Sequence, residues 1–317
     1  MIRNRRRECL VQFPERVAHS FHVTLDDEAR EAYGDLVREC KRLGRSQGIV
    51  RATFLQLFCS SYSALDASLQ KSSSGHQLNR DTFAALVRRE HFKLRALREK
   101  ILPMLEGQKT LIFCQYRETQ REVFESLRRD GHHVATICGV SGREKTQRIL
   151  RFKQDPDAHL LICNSTASEG LNLQFCSALV NYDLPWNPMR LEQRIGRIQR
   201  LGAVARRIHI FNLFAKGTIE DFLFEVLDKR LHLFSESIGV IEQVLGRLEE
   251  GESFEALVFN ALFEDDFESY ARKVGQRLAK LREQNRKEEE QAASILDAFE
   301  LDALFDDVAS DLRARGL

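Results

Sequence analysis

Residues 159–202 read HLLICNSTASEGLNLQFCSALVNYDLPWNPMRLEQRIGRIQRLG. Two short apolar runs in this stretch, HLLIC and SALVNYD, are each followed by a polar loop, and the second loop leads into a segment rich in arginine. Apolar runs of this length are typical of strands that are buried on both faces of a parallel sheet. The stretch therefore predicts an α/β fold with polar loops at the strand ends.

The same alternation continues between about residues 107 and 217. The runs TLIFC, HVATIC and RIHIFNLF alternate there with helical segments such as RETQREVFESLRRDG and SGREKTQRILRFKQ, which favours a parallel sheet flanked by helices. Before it the pattern is mostly helical, with Asp26 or Asp27 as a helix cap. After it the chain is helical and heavily charged. We predict a helical N-terminal segment (1–105), an α/β domain (106–218) and a charged helical C-terminal extension (219–317).

The composition limits the possible partners. The 48 basic and 47 acidic side chains nearly cancel, so any site for a polyanion must be local. No stretch of eighteen apolar residues occurs, and the start of the chain lacks the apolar core of a secretion signal, so we expect a cytoplasmic protein without a membrane partner. The seven cysteines are scattered, without a C-x-x-C or H-E-x-x-H pattern. They indicate packed thiols and no metal site.

The loop after HLLIC offers groups that could hold phosphate. Ser165, Thr166 and Ser168 supply hydroxyls at a predicted strand end, and the turn Glu169–Asn172 adds a glycine between polar groups. Ligands of parallel sheets bind beyond the carboxyl ends of the strands, which gives this loop functional weight. Serine, threonine and glycine also collect in turns for conformational reasons, so the loop alone leaves both interpretations open.

The arginine segment raises a second question. Arg194, Arg197 and Arg200 recur at every third position, and a helical rotation of about 100° per residue would keep them on one face. Such a face is typical of a solvated basic helix. Gly196 weakens that interpretation, because a glycine inside a helix costs about 1 kcal/mol relative to alanine and usually marks a close approach.

Taken together, these loops resemble the fifth and sixth motifs of the Swi/Snf family in helicase superfamily two, and its bacterial RapA-like members in particular. TLIFCQYRETQ resembles the fourth motif, and GVSGREKTQRILRFK the segment that follows it. MIRNRRRECLVQFPERV is similar to the crossover from the first RecA-like lobe, and GTIEDFLFEVLDKRLHLFSESIG to the helix after the second. The resemblance implies a second RecA-like lobe, with its parallel sheet flanked by helices, of an ATP-driven translocase on double-stranded nucleic acid.

Individual roles carry over with the motifs. The resemblance implies that Arg197 and Arg200 are catalytic arginine fingers, and it places Gln193, Arg194, Glu169, Gly170 and Asn172 at the nucleotide cleft, with Arg194 bracing the sixth motif. The residues that it implies for contact with nucleic acid are Gln115, Tyr116, Ser141, Gly142, Ser165, Thr166 and Ser168. Ala203 follows Gly202 where the family usually has glutamine, which puts the fine positioning of this motif in doubt.

A phosphate loop is missing from the sequence. Neither G-x-x-x-x-G-K-[ST] nor a Gly–Lys dipeptide occurs, so we expect ATP and Mg²⁺ to be held mainly by an N-terminal RecA-like ATPase lobe, in the same polypeptide or in a separate chain. By itself the chain should hydrolyse no ATP. Double-stranded DNA is the expected substrate, with phosphate contacts in the loops and around Arg3, Arg5, Arg6 and Arg7, a cluster that could equally be a solvated tail. The alternative is a non-catalytic module that keeps the fold to bind nucleic acid or protein.

Overall fold

The computed structural model describes residues 14–42, 48–71, 83, 85–185, 187–200, 203–226, 254–261, 264, 269–284, 286–288 and 291. The basic cluster at Arg3, Arg5, Arg6 and Arg7 lies outside the described residues, as does Gly202.

Six parallel strands form one sheet. They are β1 (Glu15–Val23), β2 (Thr110–Phe113), β3 (Val134–Thr136), β4 (Leu160–Cys163), β5 (Ala178–Asn181) and β6 (Arg207–Ala215). Their order across the sheet is β1-β6-β5-β2-β4-β3. After β2 the chain builds β3 and β4 on one side, and it then crosses to β5 and β6 on the other. The loops that leave β2, β4 and β5 therefore meet at the reversal of strand order, where ligands of open α/β sheets bind.

Five of these strands confirm the predicted apolar runs, whereas β1 corrects the expectation of a helical segment over residues 1–105. β1 pairs with β6 residue by residue, from Glu15 with Arg207 to Val23 with Ala215. It lies at the edge of the sheet, and most of its side chains are half-buried or exposed. An edge strand of this kind carries polar residues at many positions, so it lacks the continuous apolar run that marks a central strand.

Helices precede the central strands along the chain, connect them and follow them. They are α1 (Asp27–Arg42), α2 (Gly48–Ser60), α3 (Tyr62–Lys71), α4 (Phe92–Ala96), α5 (Arg117–Arg129), α6 (Gly142–Gln154), α7 (Ser165–Ser168), α8 (Pro188–Ile195), α9 (Ile219–Phe224), α10 (Phe254–Ala261) and α11 over 269–284. Asp26 is the cap of α1, since its Oδ1 accepts a hydrogen bond from the Ala29 amide at 2.9 Å. This bond satisfies an amide that the helix itself leaves unpaired.

A buried ion pair ties the flanking helices to the sheet. Lys93 Nζ in α4 lies 2.5 Å from Glu220 Oε1 in α9, and both side chains are almost fully enclosed. Lys93 also donates to the Tyr182 carbonyl at 3.0 Å, and Glu220 Oε2 accepts from the Ala215 amide at 2.8 Å. These bonds join the ends of β5 and β6 to helices on either side of the α/β region. One hydrophobic core thus includes the sheet and the flanking helices, and the divisions at residues 105 and 218 stay predictions.

Candidate nucleotide and nucleic-acid site

Three loops at the carboxyl ends of β2, β4 and β5 are connected by side chains. Asp183, just after β5, accepts a hydrogen bond from the Gln115 amide after β2, with 2.7 Å between Oδ2 and N. Asn164, just after β4, caps α7 by accepting from the Ala167 amide at 2.6 Å. Each loop is therefore held in place by hydrogen bonds that a short polar side chain makes to backbone amides.

Arg194 lies inside the domain and links two of these loops. Its Nε donates to Ser165 Oγ at 3.1 Å, and its Nη1 donates to Asn181 Oδ1 at 3.1 Å and to the Asp183 carbonyl at 2.6 Å. The guanidinium also lies over the Phe113 ring, 5.0 Å from its centre. Burial lowers the pKa of Arg194 to about 10, so the group is still charged at neutral pH.

The prediction that Arg194 contacts the nucleotide does not fit this position. Only 1% of the residue is exposed, and its donors point at groups of the same domain. Its contacts are those of a brace, the other role that the resemblance implied for it, and they hold α8 against the ends of β4 and β5.

Arg197 and Arg200 lie beyond the end of α8, so the prediction that the three arginines share one helical face is wrong. The helix ends at Ile195, and Gly196 follows it as the C-cap with φ −62° and ψ −10°. We call residues 196–200 the arginine turn. Both of its arginines are half-buried, in contrast to Arg194.

Arg197 in the arginine turn interacts electrostatically with Glu169 in the loop after β4. Partial burial lowers the pKa of Arg197, the like charge of Arg200 lowers it further, and the carboxylate of Glu169 acts in the opposite direction. Two guanidinium groups and one carboxylate therefore interact across the two motifs. Arg200 is also held by its own turn, since its Nε donates to the Gly196 carbonyl at 2.9 Å.

The other residues expected at the nucleotide cleft are open to solvent. Gln193, Glu169, Gly170 and Asn172 are all exposed. Gly170 has a φ of +72°, a left-handed conformation that glycine adopts without strain. Asn172 Oδ1 accepts from the Gln174 amide at 3.2 Å, which fixes the turn after it. These residues are accessible to a ligand, unlike the side chain of Arg194.

The three hydroxyls predicted for nucleic-acid contact have different surroundings. Thr166 is exposed, whereas Ser165 is half-buried and accepts the bond from Arg194. Ser168 is 1% exposed, and its Oγ donates to the Ser165 carbonyl at 2.9 Å. Contact of the Ser168 hydroxyl with nucleic acid does not fit this structure, because the hydroxyl is enclosed.

The remaining predicted contacts lie on two other loops. The Tyr116 hydroxyl donates to Gln56 Oε1 in α2 at 2.7 Å, so its polar end faces the domain and not the cleft, while Gln115 is half-buried. Ser141 and Gly142 are exposed at the start of α6, and Gly142 has a φ of +54°. This second loop follows β3 at the edge of the sheet.

Comparison with known proteins identifies the region that contains these loops. Residues 93–202 match the helicase conserved C-terminal domain family. This region is a helicase C-terminal domain. The match includes β2 to β5 and α8, together with the arginine turn.

The relatives of the chain include bacterial helicases. It is 31% identical over 261 residues to the ATP-dependent helicase YqhH of Bacillus subtilis, which covers 78% of this chain and 46% of that protein. It is 37% identical over 134 residues to the RNA polymerase-associated protein RapA of Vibrio parahaemolyticus, which covers 41% of this chain and 14% of that protein. The chain thus spans about half of YqhH and a small part of RapA. These matches confirm the resemblance to RapA-like proteins of superfamily two.

A solved structure confirms the fold. The C-terminal part of the Fun30 ATPase domain superimposes with a TM-score of 0.54 at 13% identity, covering 80% of this chain and 97% of that one. At this identity the match shows the fold alone, a RecA-like parallel sheet flanked by helices.

Two buried polar residues of the helicase C-terminal domain were not predicted as site residues. Asp183 is 2% exposed, and within the described residues its Oδ1 has no hydrogen-bond partner. Asn181 accepts from Arg194 and donates through Nδ2 to Asn212 Oδ1 at 2.9 Å. Their signal in the sequence is the run SALVNYD, where polar residues interrupt an apolar strand. Such groups need partners when they are buried.

The described residues contain no group of three or more His, Cys, Asp or Glu side chains that could hold a metal ion. Their six cysteines are free, and all but Cys138 are buried. In the same part of the chain, no helix combines the length and apolar content needed to cross a bilayer.

Proposed function

We propose that this chain is the C-terminal lobe of an ATP-dependent translocase on double-stranded nucleic acid, and that Arg197 and Arg200 are its arginine fingers. The observation that carries this proposal is the contrast within the sixth motif. Arg194 is enclosed and bonded on several sides, while Arg197 and Arg200 stand half-exposed on the turn that follows. The motif thus combines one arginine that is fixed inside the domain with two partly exposed arginines near the carboxyl ends of the strands.

The exposed residues fit a phosphate-bearing ligand. A transferring phosphoryl group spreads negative charge over its equatorial oxygens, and a planar, permanently charged guanidinium stabilises that charge, which is worth about 10³ to 10⁵ in rate. Arg197 and Arg200 would face the terminal phosphate of ATP, with Gln193 beside them. The carboxylate of Glu169 offsets part of the repulsion that Arg200 exerts on Arg197.

The phosphoryl group would come from ATP, and a bound Mg²⁺ would neutralise part of its charge. The described residues include no acidic cluster for the metal, and the sequence has no phosphate loop. We therefore assign both ligands mainly to a companion N-terminal lobe. The ATP-dependent helicase YqhH, of which this chain spans about half, supports such a division.

Nucleic acid would lie along the exposed loops. Thr166, Gly170, Ser141 and Gly142 are all exposed, and hydroxyls and backbone amides of this kind contact phosphates without reading sequence. Because the whole chain has a formal charge of only +1, its attraction to DNA must come from local groups such as these loops. Duplex DNA should bind the isolated chain weakly, and fluorescence anisotropy should show a steep loss of binding as salt is raised. Tight binding that ignores salt would contradict this assignment.

The decisive experiment measures ATP hydrolysis by the two-lobed protein, in which this lobe acts with its companion. Arg197→Ala and Arg200→Ala should each lower DNA-stimulated kcat by about 10³-fold or more with little change in KM for ATP, since the guanidinium acts mainly on charge that develops during transfer. Lysine should restore little, because it offers one point charge in place of a planar fork.

The matched control is Arg190→Ala, an exposed arginine in α8, which should leave kcat near the wild-type value. Normal turnover by both finger variants would refute the assignment. The isolated chain should hydrolyse no ATP above background, and measured turnover by it would refute the division into two lobes. A two-lobed protein without DNA-stimulated hydrolysis would favour the non-catalytic module instead.

A further inference from the structure

Arg16 in β1 makes a buried connection to the arginine segment. The side chains of Arg16 and Glu192 are each only 3% exposed. The Nη1 and Nη2 atoms of Arg16 donate to Glu192 Oε1 and Oε2 at 3.1 and 3.2 Å. Its Nε donates to Gln199 Oε1 at 2.7 Å. Gln199 in turn donates through Nε2 to the Pro14 carbonyl at 3.0 Å.

These contacts hold the arginine turn from both ends. Glu192 lies in α8 before the turn, and Gln199 lies within it, between Arg197 and Arg200. Two parallel bonds to a carboxylate fix the direction of a guanidinium more firmly than a single ion pair does. With Nη1 and Nη2 fixed in this way, the remaining nitrogen of the guanidinium, Nε, stays directed at Gln199.

The turn needs such support because it lies beyond the regular helix. Its backbone bonds are short-range, such as Arg197 N to the Arg194 carbonyl at 3.0 Å and Gln199 N to the Ile195 carbonyl at 2.9 Å. Ile198 is buried beneath it. These contacts hold the middle of the turn, while Arg16 connects it to the edge strand of the sheet.

We propose that Arg16 is a positioning residue that sets the location of the turn carrying Arg197 and Arg200. This inference rests on the proposed function for its catalytic consequence, although the placement of the turn can be measured independently. A misplacement of about 1 Å at a catalytic group costs about 10²-fold in rate. β1 therefore contributes to the nucleotide site although Arg16 itself is enclosed within the domain.

The first test follows amide hydrogen exchange in this chain. Arg16→Ala should speed exchange at the amides of residues 197–200 by about tenfold or more. Amides of the central strands β2 and β4 should exchange at the same rates as in the wild type. The matched control is Arg207→Ala, which breaks an exposed ion pair between β1 and β6, with Arg207 Nε 2.8 Å from Glu15 Oε2. Unchanged exchange in the turn, or an equal rise throughout the sheet, would overturn the proposal.

A second variant guards against simple unfolding. Arg16→Met combined with Glu192→Leu replaces the buried pair by apolar side chains, a change that is often close to neutral for stability. The double variant should keep the urea midpoint near that of the wild type and still speed exchange in the turn. A stable double variant with normal protection at residues 197–200 would refute the role of Arg16.

The third test measures ATP hydrolysis by the two-lobed protein. Arg16→Ala should lower kcat by about 10- to 100-fold without raising KM for ATP, and Arg16→Lys should recover only part of the loss because it cannot form the bidentate pair. If Arg197→Ala abolishes turnover while Arg16→Ala leaves kcat unchanged, the positioning role is wrong. If the turn loosens in Arg16→Ala but Arg197→Ala and Arg200→Ala hydrolyse ATP normally, the positioning role stands and the finger assignment fails.

Discussion

The enclosed and open halves of the arginine segment differ although their residues share one spacing in the sequence. Arg194 is bonded to Ser165, Asn181 and the Asp183 carbonyl inside the domain, whereas Arg197 and Arg200 stand half-exposed beyond the helix. The difference arises where α8 ends, because Arg197 and Arg200 lie on the turn after the helix and not on its buried face. The three arginines have the same side chain and the same spacing, so neither separates the buried Arg194 from the other two. The position at which α8 ends separates them.

The strongest test of this contrast is Arg194→Ala. The change leaves buried acceptors on Asn181 and Asp183 without their donor and opens a cavity, so we expect the free energy of unfolding to fall by about 3–5 kcal/mol. Urea denaturation of this chain would measure it. Arg190→Ala, on the exposed face of the same helix, should stay within about 0.5 kcal/mol of the wild type. Equal losses in the two variants would contradict the enclosed position of Arg194.

A buried histidine extends the comparison of enclosed and open side chains to the pH dependence of stability. His91 is buried, its Nε2 lies 2.9 Å from the Phe58 carbonyl, and its Nδ1 accepts from the Lys93 amide at 3.2 Å. Burial lowers the pKa of His91 from 6.5 to about 3. The unfolded chain then binds more protons below pH 6.5, so the stability present above that pH is lost as the pH falls.

At pH 5 this histidine should cost about 2 kcal/mol of unfolding free energy relative to pH 8. Urea midpoints at the two pH values measure the difference. His91→Gln should be less stable at pH 8 yet lose less on acidification, whereas His132→Gln, at an exposed histidine, should keep the wild-type slope. The same slope in all three proteins would show that His91 takes up a proton within the folded domain.

Neighbouring hydroxyls in α7 sharpen the comparison further. Ser165→Ala removes the acceptor for Arg194 Nε and should cost about 1–2 kcal/mol. Thr166→Ala, at the exposed position next to it, should change stability by less than about 0.5 kcal/mol. In the two-lobed protein we expect the Thr166 variant to weaken DNA binding, as seen by anisotropy. A reversed order of the two stabilities would contradict the inward position of Ser165.

The smallest expected effect on folding is that of Arg197→Ala. Arg197 is half-buried, and the like charge of Arg200 contributes to the lowering of its pKa, so removing one of the two charges relieves a repulsion. The free energy of unfolding should stay within about 0.5 kcal/mol of the wild type. Thermal melts of this chain would detect more. A loss as large as that of Arg194→Ala would remove the distinction between the two halves of the segment.

The sequence predicts the centre of the fold well because the central strands have a simple physical signature. β2, β4 and β5 are buried along their whole length, so their residues form continuous apolar runs. The edge strand β1 mixes polar and apolar side chains without a regular period, so no local pattern separates it from the helical segment that follows. What identifies it is its pairing with β6, a contact between distant parts of the chain that no local pattern records.

The candidate site divides in a similar way. Polar residues at strand ends predict which loops lie together at one edge of the sheet, because the direction of a parallel sheet fixes where those loops lie. The direction in which each side chain points could not be predicted from the sequence in the same way. The Ser168 hydroxyl and the Tyr116 hydroxyl face partners within the domain, and only tertiary contacts decide that. Arg16 lies in the stretch that resembles the crossover from the first lobe, but that resemblance implied no role for it, since its partners Glu192 and Gln199 lie far along the chain.

The parallel pairing of β1 with β6 also has a mechanical consequence. β1 is entered at Glu15, beside Arg207, and the chain leaves β6 at Ala215, beside Val23. Tension applied to the chain before β1 and after β6 would pull these strands along their length in opposite directions. The hydrogen bonds between them would then share the load in shear and would not open one after another like a zipper. A domain built this way can bear a pull along the polypeptide at these two points while its central strands stay unloaded.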